Sequence, residues 1–220
     1  MKKSLLSFMV AVATTLSFST AASADITYFN NDGVADWDSE AGAGLTQSVT
    51  VAEDEEITSI SLTFYGLTHD WLGDLSFQLS SGDVFFPTVM SVLPNHLGGG
   101  SFGDSSHFDG DYTFADGGAS LWDEAIATGG GVAVAPGIYQ ASSDDGNGSE
   151  QVLSFNSTFG GMSTAGEWSI NFLDSFPTLD TGGMTGWSIT FNASAVPEPG
   201  SASVLGLAAV GLIAARRRRK

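Results

Sequence analysis

Hydrophobic and polar residues alternate strictly at four places along this chain. Ile60, Leu62 and Phe64 alternate with Ser61, Thr63 and Tyr65, and Leu75, Phe77 and Leu79 with Ser76, Gln78 and Ser80. Trp168, Ile170 and Phe172 are separated by Ser169 and Asn171, and Trp187, Ile189 and Phe191 by Ser188 and Thr190. Successive strand residues point to opposite faces, so each stretch predicts a strand with one side buried and one side wet. Weaker strands are predicted at 45–51, 84–90, 137–140 and 151–155, between turns rich in Gly, Asn, Asp and Ser. Several short strands joined in this way predict an all-β sandwich. One segment breaks the period of two. At 120–128, Ser120 supplies a cap, Asp123 and Glu124 sit in the first turn, and Leu121, Trp122, Ala125 and Ile126 share a face. That pattern predicts one short helix over an edge of the sandwich. Residues 93–118, rich in Gly, Ser and Asp, show no period and read as a long loop excursion.

The pattern changes at both ends. Lys2 and Lys3 precede an apolar run at 5–18 and the small residues Ala22-Ser23-Ala24, which predicts a signal peptide over 1–24 and a mature chain starting at Asp25. At the other end, Pro197-Glu198-Pro199 leads into an uncharged run at 201–215 and a basic stop at 216–220. As a helix the run is about 22 Å long at about 1.5 Å per residue, short against a bilayer core of about 30 Å. It spans only with snorkelling flanks, and the basic stop places residues 25–195 outside. An ordinary anchor helix is the plainer reading of the run alone. With its flanks, 196–220 resembles the PEP-CTERM sorting signal of bacterial envelope proteins. That resemblance implies that Pro197, Glu198 and Pro199 are recognised by an exosortase-type membrane protease and that the tail, membrane-inserted at first, is then removed. One domain remains, 25–195.

Charge sharpens this division. All seven basic residues lie in the two ends, whereas all 25 acidic residues lie between Asp25 and Glu198. The expected exported body thus has no lysine or arginine. Phosphate contacts with nucleic acid and headgroup contacts with anionic lipid are excluded. Solubility in a salty exterior accounts for the acidity without invoking any ligand. Cysteine is absent, which rules out disulfides and thiolate chemistry.

Two stretches resemble the P domain (Homo B domain) that accompanies subtilisin-like proprotein convertases and many bacterial secreted proteins. One is 57–80, with Gly66-Leu67-Thr68-His69-Asp70-Trp71-Leu72-Gly73-Asp74-Leu75; the other is 153–191, with Gly166-Glu167-Trp168, Asp174, Asp180, Gly182 and Trp187-Ser188-Ile189. The resemblance implies a jelly-roll sandwich of the galactose-binding-like kind. It implies no protease, because the catalytic domain of convertases has no counterpart here.

Calcium is the expected cofactor. It takes six to eight hard oxygen ligands, which a carboxylate-rich, cation-free loop system offers. Asp74, Asp174 and Asp180 lie on the family-like loops; Asp109, Asp111 and Asp116 offer close spacing, as do Asp32, Asp36, Asp38 and Glu40. Solvated turn caps are the alternative for all of these aspartates. Trp168 and Trp187 are expected in the core, whereas Trp37, Trp71 and Trp122 lie nearer loops, where a ring can meet a glycan or simply pack. No G-x-S-x-G elbow and no H-E-x-x-H pair occurs. The expectation is a non-catalytic protein of the envelope, cell surface or exopolysaccharide matrix; a carbohydrate-binding surface protein and a secreted hydrolase are the alternatives.

Overall fold

The computed structural model describes residues 23–41, 44–86, 89–91, 103–145, 149–177 and 180–194. The predicted signal peptide up to residue 22 and the motif Pro197-Glu198-Pro199 lie outside the described residues. Thirteen strands run in chain order: β1 Ser23–Asn30, β2 Leu45–Val51, β3 Glu56–His69, β4 Leu75–Ser81, β5 Val84–Phe85, β6 Met90–Ser91, β7 Phe108–Ala119, β8 Gly137–Tyr139, β9 Ser142–Asp144, β10 Glu150–Val152, β11 Gly166–Asp174, β12 Gly182–Gly183 and β13 Gly186–Ser194. Three short helices join them: α1 Trp37–Glu40, α2 Leu121–Thr128 and α3 Phe155–Phe159.

Two sheets carry the fold. The first has the order β1-β13-β3-β7-β8, with β12 also on β3; the second has the order β2-β11-β4-β5, with β6 also on β4. The ladders are antiparallel except for β7 on β8. The long strands alternate between sheets as the chain advances: β1, β3, β7 and β13 in the first, β2, β4 and β11 in the second. Each crossing closes one end of the molecule, so loops gather at the two ends.

The alternation in sequence becomes the contact between sheets. Phe64 of the first sheet meets Phe77 and Phe172 of the second at 4.8 and 6.1 Å between ring centres, and Trp168 of the second meets Phe191 of the first at 4.9 Å. These rings, with Leu62, Leu79, Ile170 and Ile189, are fully buried. Tilted and edge-on rings let two pleated faces interdigitate without voids.

The structure corrects several expectations. The excursion at 93–118 is not a loop throughout, because β7 fills its second half and pairs with β3 from Ser61↔Ala115 to His69↔Phe108. Its apolar residues Phe108, Tyr112 and Phe114 keep the period of two, with Gly110 in the remaining inward place. A bulge in β3 between Phe64 and Leu67 absorbs the local twist there. Gly66 takes φ +55° at that bulge, and its N–H donates to Asp111 Oδ1 at 2.7 Å. The predicted strand at 151–155 ends at Val152, and α3 starts at Phe155. Ser154 and Asp116 make that helix start: Ser154 Oγ accepts the Ser157 N–H, and Asp116 accepts Ser154 Oγ–H and the Phe155 and Asn156 N–H groups. The helix predicted at 120–128 is present as α2, capped by Ser120 Oγ on the Asp123 N–H. β1 begins at Ser23, two residues before the expected mature terminus. Among the described residues no helix is long and apolar enough to cross a membrane.

Candidate functional site

At one end of the sandwich β3, β11 and α1 bring ionisable side chains together. His69 closes β3 and Asp174 closes β11; both are buried, at 1% exposure each. His69 Nδ1 accepts the Trp71 N–H at 3.0 Å, so the neutral ring carries its proton on Nε2 and donates it to Asp174 Oδ2 at 3.4 Å. Asp174 Oδ1 accepts the Phe176 N–H at 2.9 Å. The histidine is thereby fixed in tautomer and orientation by its own turn.

Asp74 ends the single 3-10 turn Leu72–Asp74 that leads into β4, and it is 4% exposed. The turn approaches residues 103–104 closely: the Gly73 N–H donates to the Asp104 carbonyl at 2.9 Å, leaving no room for a Cβ at position 73. Burial, a hydrogen bond with the Asp180 carboxyl, and the charges of Asp180 and Asp174 push the Asp74 carboxyl up to about 7. Two carboxyls that share a hydrogen bond in a low-dielectric place hold one proton between them. Asp38 of α1 belongs to the same field. Its carboxyl is raised, first by burial and then by Asp174, Asp36 and Asp180, while His69 acts the other way. Its Oδ1 is buried without a hydrogen-bond partner.

The structure separates the expected calcium ligands. Asp74 shares a hydrogen bond with Asp180 and feels the charge of Asp174, and Asp38 feels the charges of Asp174 and Asp180. Asp109 and Asp111 lie on the exposed side of β7, where Asp111 serves the Gly66 bulge. Asp116 is taken up by the start of α3, with three donors on its two oxygens. Asp36 caps α1 through the Asp38 N–H, and Glu40 Oε1 accepts the Ala35 and Asp36 N–H groups, so these two act as caps. Among the described residues, no three His, Asp or Glu side chains are grouped so as to hold a metal ion. What the geometry does offer is a set of oxygens and an orphaned acceptor around one shared proton.

The three loop tryptophans separate too. Trp37 and Trp122 are fully buried, which corrects their expected glycan contact. The Trp37 ring packs on Phe77 and Phe172, and its Nε1–H donates to the Thr68 carbonyl at 3.0 Å. Trp71 alone of the three is half-buried. Sequence reasoning placed His69 only within the family-like stretch at 57–80 and did not pair Asp38 with Asp174. The distances in the chain are long, and only the alternate crossing of strands between sheets joins them.

The outer face of the second sheet carries rows of polar residues, with Leu173 also exposed on it. On the second sheet Thr46, Asn171 and Gln78 stand in one row across β2, β11 and β4. Ser48, Ser169, Ser80 and Phe85 form the next row, which extends to β5. A hollow of about 590 Å³ lies over these residues except Ser48, bounded also by Gly82, Gly166 and Glu167.

Among curated proteins none matches this sequence. In fold, the crystal structure of the Aeromonas sobria serine protease and chaperone complex is similar over 82% of this chain, with a TM-score of 0.42 and 13% identity. This chain spans 28% of the length of that protease-complex chain. Residues 195–220 match the family model described as the PEP-CTERM protein-sorting motif, so the chain carries the mark of a protein that is exported to the cell envelope or surface and sorted by an exosortase.

Proposed function

We propose that this protein is a non-catalytic interaction module of the bacterial envelope or exopolysaccharide matrix. In this reading a signal peptide at 1–24 starts export of a jelly-roll, P-domain-like sandwich at 25–195. The exosortase recognises Pro197-Glu198-Pro199 and removes the membrane-inserted tail. The sorting motif at 195–220 carries the reading. The charge division supports it, because every basic residue lies in the parts that export would discard. Epitope tags at both ends test it. Wild-type chain should lose the C-terminal tag and leave the cell or remain on its surface, and replacing Pro197-Glu198-Pro199 by alanines should trap both tags in the membrane. A C-terminal tag still attached to soluble protein inside the cell would refute it.

A calcium ion at Asp74, Asp174 and Asp180 is part of this proposal. It is supported by the hydrogen-bonded carboxyl pair of buried Asp74 and half-buried Asp180 and by the orphaned Asp38 oxygen. Calcium added at fixed ionic strength should raise the melting temperature of wild type more than that of Asp174→Asn, since a ligand bound only by the folded state stabilises it. Equal shifts would remove the ion from the account. Carbohydrate binding is the second reading. Burial of Trp37 and Trp122 weakens its original form, but the polar face of the second sheet favours it by another route.

A further inference from the structure

We propose that the outer face of the second sheet binds a neutral polysaccharide, through residues different from the loop tryptophans; the inference rests on the carbohydrate-binding reading. The face is built by register and not by loops. Thr46, Asn171 and Gln78 lie side by side on three neighbouring strands, and Ser48, Ser169, Ser80 and Phe85 on four. At about 4.8 Å between strands the longer row spans about 14 Å, the reach of a short chain segment more than of one ring. Phe85 is 64% exposed at the end of that row, an aromatic surface that a strand holds open among the described residues. A hollow of about 590 Å³ lies above, a size typical of ligand sites.

The chemistry of the lining selects the ligand class. The rows carry amides and hydroxyls, groups that both donate and accept, the complement of a chain of sugar hydroxyls; Asn171 Nδ2 donates to Thr46 Oγ1 at 3.1 Å within the row. A flat apolar ring beside them takes the C–H face of a sugar, as aromatic anchors do in other recognition sites. Glu167 is the charged residue of the lining, and no lysine or arginine occurs between Asp25 and Glu198. A polyanion therefore meets one negative charge and no positive one. A protein partner would need a desolvated apolar centre, which a single phenylalanine among serines does not provide. Substitutions of Phe85 and Gln78 cost the fold little, because both are exposed; Asn171 is half-buried and donates to Thr46 and Leu45, so the double variant is read beside its own melting temperature.

Affinity electrophoresis of the full chain, in mild detergent, through gels containing dextran, mannan or xylan, with alginate as the anionic probe, tests the site. At least one neutral gel should retard the wild type, and alginate should not. Phe85→Ala should weaken that retardation by roughly tenfold in Kd, and the Gln78→Ala/Asn171→Ala double variant likewise. Phe85→Tyr should retain it, and melting temperatures should be unchanged for the Phe85 variants. Retardation by alginate in place of the neutral gels would overturn the proposal. If a neutral glycan binds and the groove variants bind it equally, or only Trp71→Ala loses it, this site falls while the carbohydrate reading stands. If no neutral gel retards the wild type, both fall. Should Phe85→Ala instead convert a dimer to a monomer in sedimentation, the face is a contact between copies and the proposal fails.

Discussion

Asp74 shows how one side chain couples the end of the sandwich to pH. Its carboxyl is raised from 3.8 to about 7, first by burial and then by Asp180 and Asp174. A raised folded value means that the folded state holds a proton which the unfolded chain has already released. The stability tied to that proton is complete below about pH 4 and is lost as pH rises towards 7. In calcium-free buffer the melting temperature should therefore be higher near pH 5 than near pH 8. General repulsion among the acids acts in the same direction, so the informative quantity is the difference between variants. Asp74→Asn keeps a donor for Asp180 and removes the titration; its melting temperature should fall less between about pH 5 and pH 8 than that of wild type. An equal fall in both proteins would show that the pair does not share a proton. Asp116 is the contrasting case, an aspartate whose value is structural. Asp116→Ala strips three donors of their acceptor at the start of α3 and should cost about 1–2 kcal/mol, read as a lower urea midpoint at unchanged slope. A family-like loop suggested calcium for Asp74 and close carboxylate spacing suggested it for Asp116; only the partners tell them apart.

Elements, more than residues, explain what could be read in advance. The strands built on Ile60–Phe64, Leu75–Leu79, Trp168–Phe172 and Trp187–Phe191 were legible because each buries one face completely, and burial is what writes a period of two. β7 was not legible, although Phe108, Tyr112 and Phe114 keep that period. Gly110 interrupts it, and Asp109, Asp111 and Asp116 give the stretch the look of a loop. β1 escaped notice for a different reason: Ile26 and Tyr28 are only partly buried at the sheet edge, so its pattern is weak. The carboxylate group was half legible. Asp74, Asp174 and Asp180 follow from a family-like motif, whereas Asp38 joins them only because α1 folds back under β12. Gly73 tests how far the group depends on its turn. A Cβ there would lie 2.6 Å from the Gly103 carbonyl carbon and against the Asp104 nitrogen, both backbone and unable to yield. Gly73→Ala should thus destabilise by at least about 2 kcal/mol. It should also move Asp74, so the pH step described above should shrink with it. A Gly73→Ala protein with wild-type stability would mean that the two segments part readily.

At the scale of the whole molecule the governing fact is a body of carboxylates with no lysine or arginine among them. His69–Asp174 is the ion-pair contact among the described residues, and it needs a protonated ring to count as one. Hydrophobic contact between the sheets must therefore hold the fold against unrelieved repulsion. Repulsion between surface charges is long-ranged in dilute buffer and short-ranged in salt, since the screening length falls from about 30 Å at 0.01 M to about 3 Å at 1 M. Raising monovalent salt across that range should raise the melting temperature continuously. Screening and ion binding make different demands on the cation. If screening is the cause, tetramethylammonium chloride should match sodium chloride at equal ionic strength; if carboxylates must coordinate a cation, only sodium should work. The expected outcome is that the two salts agree, with calcium adding a further rise at fixed ionic strength that depends on Asp174. Sodium acting alone would mean that the acidic surface binds ions at specific places, and a melting temperature indifferent to all salts would mean that the carboxylates lie too far apart to repel.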